Sequence, residues 1–248
     1  MNMLLTCGYQ EVPKSWYVME QKASIYTRIY YVKKGDVVYE SNAEKKKLAP
    51  DTLYCFPNKI PYQMHQNQQD RLKCLYLHVD IAPYVISQLR EVHPAEHPII
   101  LNLLEAFTES CRQCEGESMS MLQESLTKSI IEYLKLLGVF ETVEEKISQS
   151  VLYMMENVDK KISVQELSEV SGYHPQYYIR LFRSCMGMTP HQFLIQYRMK
   201  KALSLLSQGF PVYEAAEAAG YNESKNFTRE FKKTYGILPR QVKSYIFY

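Results

Sequence analysis

The sequence predicts an α+β fold: a small N-terminal β-barrel with a helical pair, followed by an all-α C-terminal domain built from one helical unit used twice. Three observations predict it. From Ile25 to Val79, short segments rich in Tyr, Val and Ile are broken by turn residues at roughly eight- to twelve-residue intervals, as in a small barrel or sandwich. From Ile99 onward apolar residues recur at helical spacing. Near the C-terminus the chain repeats itself, as GYHPQYYIRLFRSCMGMTP from Gly172 and GYNESKNFTREFKKTYGILP from Gly220.

The bounds come first. A chain of 248 residues, 46% of them apolar, can bury a core in each of two domains, which we place at 1–140 and 141–248. Net charge is only +2 but is unevenly spread: residues 159–248 hold 13 Lys/Arg against 7 Asp/Glu, and residues 1–158 hold 16 against 20. A basic C-terminal part suits contact with phosphates. No run of 18 apolar residues occurs, and MNMLLTCGYQ lacks a basic start and a long apolar centre, so a cytoplasmic protein with no membrane partner is expected. Six scattered cysteines are too few for a disulfide framework. Cys111 and Cys114 form a single C-x-x-C on a predicted helix; without a second pair they lack the ligands of a zinc site and read as ordinary helix residues.

In the β region, turns are expected at Lys34-Gly35-Asp36, Ser41-Asn42, Pro50-Asp51 and Pro57-Asn58. Period-two alternation puts Cys74, Tyr76 and His78 on one face and Leu75, Leu77 and Val79 on the other; Tyr26, Arg28 and Tyr30 share a face as well. A barrel interior can hold one small ligand among aromatic walls, oriented by a few polar groups, and the same aromatics can equally fill the interior themselves. His65 and His78, with Glu40 as a third group, are too few and too far apart in sequence for a catalytic metal site. No metal, cofactor or catalytic residue is expected.

After the barrel, Ile99, Ile100, Leu103, Leu104 and Phe107 form one stripe. Gly116 interrupts it, and Ser120-x-x-Gln123 offers a capping box for a second helix with the stripe Leu122, Leu126, Ile130, Tyr133 and Leu137. Gly138 to Glu145 reads as the linker, followed by a helix carrying Ile147, Val151, Met154 and Met155.

The repeat is the most specific signal. Gly172/Gly220 and Tyr173/Tyr221 lie 48 positions apart, while Arg180/Arg229, Phe182/Phe231, Gly187/Gly236 and Pro190/Pro239 lie 49 apart. Each copy is a short helix, a glycine turn and a second helix with a basic outer face. In the first, Tyr178, Leu181, Phe182 and Cys185 should face inward, leaving Gln176, Tyr177, Arg180 and Arg183 outside. In the second, Phe227 and Phe231 face inward, with Ser224, Lys225, Thr228, Arg229 and Lys232 outside. Such a second helix can lie in a DNA major groove. Thr189 and Pro190 open the helix between the copies; its 18 residues to Ser207 span roughly 27 Å, of the order of the 34 Å between successive grooves. Lys200 and Lys201 on this helix are expected to act on phosphates, if at all.

Two such units in tandem, each ending in G-x-x-P, resemble the DNA-binding domain of the AraC/XylS family of bacterial transcription regulators. The match covers about the last hundred residues. Ser168 and Ala215 depart from the small alanine and larger aliphatic residue common at those positions. The segment Leu48 to Met64 resembles, less closely, the strand-turn-strand of the cupin-like sensor domain that often precedes it; Asp51 stands for its usual glycine and Tyr62 for its usual histidine.

The resemblance implies a DNA-binding activator that is not an enzyme. It implies double-stranded promoter or operator DNA as a partner, read by Gln176, Tyr177, Arg180, Arg183, Ser224, Lys225, Thr228 and Arg229. It further implies RNA polymerase as a partner, a homodimer formed through the helical pair, and a small organic effector, a sugar or related metabolite, held near Arg28, Tyr30, Tyr76 and His78. The alternatives are a metal-dependent cupin enzyme with a DNA-binding appendage, and a regulator controlled by a protein partner.

Overall fold

The computed structural model describes residues 4–113 and 117–244. The chain divides into two compact units, Met1–Thr142 and Val143–Tyr248.

The first unit carries two antiparallel sheets. One has the order β1 (Leu4–Glu11), β8 (Lys73–Asp80), β3 (Tyr26–Lys34), β6 (Thr52–Cys55) and β9 (Arg90–Val92). The other has β2 (Tyr17–Glu20), β7 (Tyr62–Gln66), β4 (Val37–Ser41) and β5 (Lys45–Lys47). The sheets are hydrogen-bonded separately, so the expected barrel takes the form of a two-sheet sandwich. Tyr30, Val32, Tyr54 and Cys74 of the larger sheet meet Val18, Val37, Tyr39, Tyr62 and Met64 of the smaller across a shared core. Strands β1 and β2 precede the region read as β from the sequence.

Asp51, in the turn before β6, holds φ at +51°, the left-handed conformation that a glycine adopts more easily, and its carboxylate pairs with Lys33 at 2.5 Å. The chain keeps the turn of the resembled motif without its glycine.

The outer face of the five-stranded sheet, through Ile29, Leu53, Leu75, Leu77 and Val79, is covered by α1 (Pro98–Ser110) and α2 (Glu117–Leu136). Helix α2 starts earlier than Ser120, so Ser120 and Gln123 lie inside it instead of forming its cap. Its buried face is Ile130, Ile131 and Leu134, with Thr127, whose hydroxyl donates to the Gln123 carbonyl at 2.7 Å; Leu122, expected inside, is exposed. Ile99 of α1 is likewise exposed. Cys111 follows the end of α1 as its C-cap, while Gly116 and Cys114 lie outside the described residues. The expected linker is largely anchored: Val139 and Phe140 are buried, and Glu141 pairs with Val85 and accepts from the Ser87 hydroxyl at 2.5 Å.

The second unit is all helical: α3 (Glu145–Glu156), α4 (Val164–Val170), α5 (Pro175–Met186), α6 (Pro190–Ser207), α7 (Val212–Ala218) and α8 (Ser224–Tyr235). Caps fix the ends. Ser163 and Glu166 form a reciprocal capping box on α4, and Thr189 and Gln192 form another on α6, where Pro190 occupies the first turn without losing a hydrogen bond. Arg198 of α6 donates to the carbonyls of Val158 and Lys160 at 2.9 and 2.6 Å, tying the centre of α6 to the segment after α3.

Candidate functional site

The two copies fold alike down to their backbone hydrogen bonds. After α4, Gly172 has φ +64° and the Tyr173 N–H reaches the Ser168 carbonyl at 2.9 Å; after α7, Gly220 has φ +76° and the Tyr221 N–H reaches the Ala216 carbonyl at 2.9 Å. Both exits are left-handed turns that reverse the chain into the next helix. Ser168 and Ala215, the departures noted above, are fully buried, and the Ser168 hydroxyl satisfies itself on the Gln165 carbonyl at 2.7 Å.

Helix α5 buries Tyr178 and Phe182, and α8 buries Phe227 and Phe231. The Tyr178 hydroxyl donates to the buried Ser150 of α3 at 3.1 Å, and the Phe182 ring meets Phe193 of α6 at 5.8 Å. Phe227 and Phe231 pack against Ala215, Ala216 and Ala219, small side chains that let α8 approach α7 closely. With these rings fixed inward, helical geometry turns the opposite face outward. Gln176, Tyr177, Arg180 and Arg183 are exposed on α5; Ser224, Lys225 and Arg229 are exposed on α8, with Thr228 half-buried beside them. Tyr177 rests edge-on against Tyr173 at 5.1 Å, and Arg229 reaches Asn226 at 3.4 Å. Each face offers cations and amide or hydroxyl donors on a rigid helix, which is what phosphate and base-edge contacts require.

Lys200 differs from its expected role. It is only 5% exposed, and its ammonium lies over the Tyr197 ring at 5.2 Å, so it belongs to the interior of the second unit. Lys201, its neighbour, is half-buried.

A second cluster lies in the first unit. Arg28 pairs closely with Glu20 and donates to the hydroxyls of Tyr62 at 3.0 Å and Tyr26 at 3.1 Å. Burial works against its charge, and the surrounding Tyr62, Tyr26, Tyr30 and Glu20 more than offset that, raising its pKa. His78 is ringed by Tyr76, Tyr26 and Tyr30 at 5.6, 5.7 and 6.2 Å. Burial, and then the Arg28 charge, push its pKa down to about 3, so it is neutral at ordinary pH. Its Nε2 is buried and has no hydrogen-bond partner among the described residues. Tyr76 lies across Gly8 of β1, where any β-carbon would meet its hydroxyl at 2.7 Å. Arg28, Tyr30, Tyr76 and His78 therefore come together on the inward face of the five-stranded sheet. Around them Tyr39, Tyr54, Phe56 and Tyr62 fill much of the sandwich interior. Glu20 and Tyr62, which hold Arg28, are part of this cluster; Glu20 lies on a strand not read from the sequence.

The residues weighed as metal ligands do not converge. His65 is exposed on β7 of the smaller sheet, Glu40 pairs with Lys45 at 3.8 Å, and His78 is half-buried on the other sheet. Among the described residues no group of three His, Cys, Asp or Glu side chains is placed to hold a metal ion. No helix among them is long and apolar enough to cross a membrane.

Residues 167–244 match a family described as a helix-turn-helix domain. Over 237 residues, 90% of its length, the chain is 23% identical to YobQ, an HTH-type transcriptional regulator of Bacillus subtilis, and covers 92% of it. This is a transcriptional regulator with an AraC-type DNA-binding domain. The AraC-type regulator is also 29% identical over 132 residues to LumQ, a probable transcriptional regulator of Photobacterium leiognathi, spanning 51% of this chain and about half, 53%, of LumQ. In fold it is similar to ToxT of Vibrio cholerae, with a TM-score of 0.63 at 8% identity over 96% of both chains. A ToxT structure with an unsaturated fatty acid bound gives a TM-score of 0.61 at 10% identity, over 94% of this chain and 92% of ToxT. The AraC-type regulator thus shares its α+β architecture with ToxT.

Proposed function

We propose that this AraC-type regulator is an effector-controlled activator that reads one promoter site with α5 and α8 together. The observation that carries the reading is the duplicated geometry: two helices, each locked by a pair of buried aromatic rings, each presenting an arginine at the same place in its repeat, Arg180 and Arg229. Gln176, Tyr177, Arg180 and Arg183 contact one groove and Ser224, Lys225, Thr228 and Arg229 the next. Selecting genomic fragments with the full chain tests this. Recovered sites should share two short sequence blocks about one helical turn, roughly 34 Å, apart; recovery without any shared sequence would reduce the protein to a non-specific binder.

The effector is a small organic molecule held at Arg28, Tyr30, Tyr76 and His78. Support comes from the unpartnered, buried Nε2 of His78, which leaves a hydrogen bond unmade at a cost of about 1–3 kcal/mol. A neutral imidazole nitrogen pairs with a hydroxyl in either tautomer, because the hydroxyl both donates and accepts. A polyhydroxylated metabolite such as a sugar suits that preference; the fatty acid seen in ToxT favours a carboxylate that would compete with Glu20 for Arg28. Binding needs some of the interior rings to move aside. Thermal-shift screening of hydroxylated metabolites and of carboxylic acids, with His78→Leu and Arg28→Met as controls, separates the two. The exposed Met121, Leu122 and Leu136 of α2 support a homodimer formed through this helix, and the activator acts by recruiting RNA polymerase.

A further inference from the structure

Three elements of the first unit meet at a pair of thiols. Cys7 is on β1, Cys111 closes the C-terminal end of α1, and Gln123 of α2 lies between them: the Cys7 thiol donates to Gln123 Oε1 at 3.6 Å, and Gln123 Nε2 donates to Cys111 Sγ at 3.9 Å. One Gln123 amide thus touches both thiols, its oxygen accepting from Cys7 and its nitrogen donating to Cys111. Both residues are half-buried, whereas Cys55 and Cys74 are enclosed. Residues 104 positions apart in sequence thus bring two free thiols to one amide at the margin of the core.

We propose that Cys7 and Cys111 form a modification site: a thiol pair that a hydroperoxide oxidises to a disulfide, joining β1 to the end of α1. The chemistry is asymmetric. The neighbouring Cys7 thiol, and to a smaller extent Ser110, hold the Cys111 thiol below its ordinary pKa, while the nearness of Cys111 and then burial raise that of Cys7. Cys111 is therefore the nucleophile and Cys7 the resolving thiol. The Cys111 thiolate attacks one peroxide oxygen; the O–O bond breaks, a sulfenic acid forms, and hydroxide leaves and takes up a proton. Cys7 sulfur then attacks the sulfenic sulfur, the S–O bond breaks, and its thiol proton leaves with the hydroxyl as water. Two thiols lose two electrons and the peroxide gains them.

Hydrogen peroxide applied to the full native chain, followed by alkylation and tryptic digestion without reductant, tests this. Cleavage after Lys14, Arg90, Arg112 and Lys128 places Cys7 in peptide 1–14, Cys111 in 91–112 and Cys114 in 113–128. The expected product is 1–14 linked to 91–112, released by reductant. It should be lost completely in Cys7→Ser, where Cys111 instead accumulates a sulfenic acid trapped by dimedone. Alkylation of the reduced protein should reach Cys111 before Cys55 and Cys74. A link between 91–112 and 113–128, a link between two chains, or Cys111 oxidised with Cys7 left free in the unmutated protein would each overturn the proposal.

Discussion

At the scale of single residues, His78 makes a pH prediction with a definite sign. In the unfolded chain its pKa is the ordinary 6.5, and in the folded protein burial and Arg28 lower it to about 3. Between those values the unfolded state binds more protons, so stability falls as pH falls through this window and is fully present above it. The slope from this group is about 1.4 kcal/mol per pH unit. Replacing it in His78→Leu should flatten the urea-midpoint profile between pH 6 and pH 4 relative to the unmutated protein. Parallel profiles would mean the imidazole is already solvated. On the DNA side, Arg180→Ala and Arg229→Ala should each cost about 1–3 kcal/mol on the selected site and much less on random DNA, as guanidinium-to-base contacts do. Equal losses on both DNAs would demote the pair to phosphate clamps.

At the scale of elements, the positive-φ glycines of the second unit are not equivalent. A β-carbon at Gly220 would sit 2.7 Å from the Asp159 carbonyl oxygen, whereas one at Gly236 would meet nothing within 4 Å. Left-handed backbone alone costs about 1–2 kcal/mol for a non-glycine residue. Gly236→Ala should therefore lose about that much by chemical denaturation, and Gly220→Ala clearly more, because backbone must shift as well. The helices around these glycines were legible because their ends are written in short-range chemistry: Ser163 with Glu166, Thr189 with Gln192, and proline in the first turn. Strands β1 and β2 were not, since Gly8 interrupts β1 and β2 is only 4 residues long. Lys200 was misread because its charge was weighed above its spacing: Phe193, Tyr197 and Lys200 share one helix face, and that face is buried. The cap at Ser120 failed for a related reason, as a capping-box pattern inside a long amphipathic run does not itself end or begin a helix. Strand alternation did group Arg28 with Tyr30 on one strand and Tyr76 with His78 on another; the pairing of those two strands is what brings the groups onto one face. That the rings around them would fill so much of the interior depends on the facing sheet, whose approach no local pattern encodes.

At the scale of the whole molecule, the proposed tandem reading implies an asymmetric DNA site. Two reading helices on one chain are different sequences, Gln176 and Tyr177 standing at the start of one and Ser224 and Lys225 at the start of the other. A symmetric dimer of single units would instead read two equivalent half-sites. Substituting Gln176 or Tyr177 should therefore change the preferred bases in one sequence block only and leave the other block intact in a randomised-site selection. The electrostatic share behaves differently, because phosphate contacts are blind to sequence. Arg183→Ala should lower the slope of log affinity against log salt by about 0.9 if that side chain neutralises one phosphate. Lys200→Met, which removes a charge already turned into the protein interior, should leave the slope unchanged while altering stability. Measuring both variants over one salt series checks the assignment of charge to surface and core: a reduced slope for Lys200→Met, with none for Arg183→Ala, would reverse it and place the phosphate contact on α6.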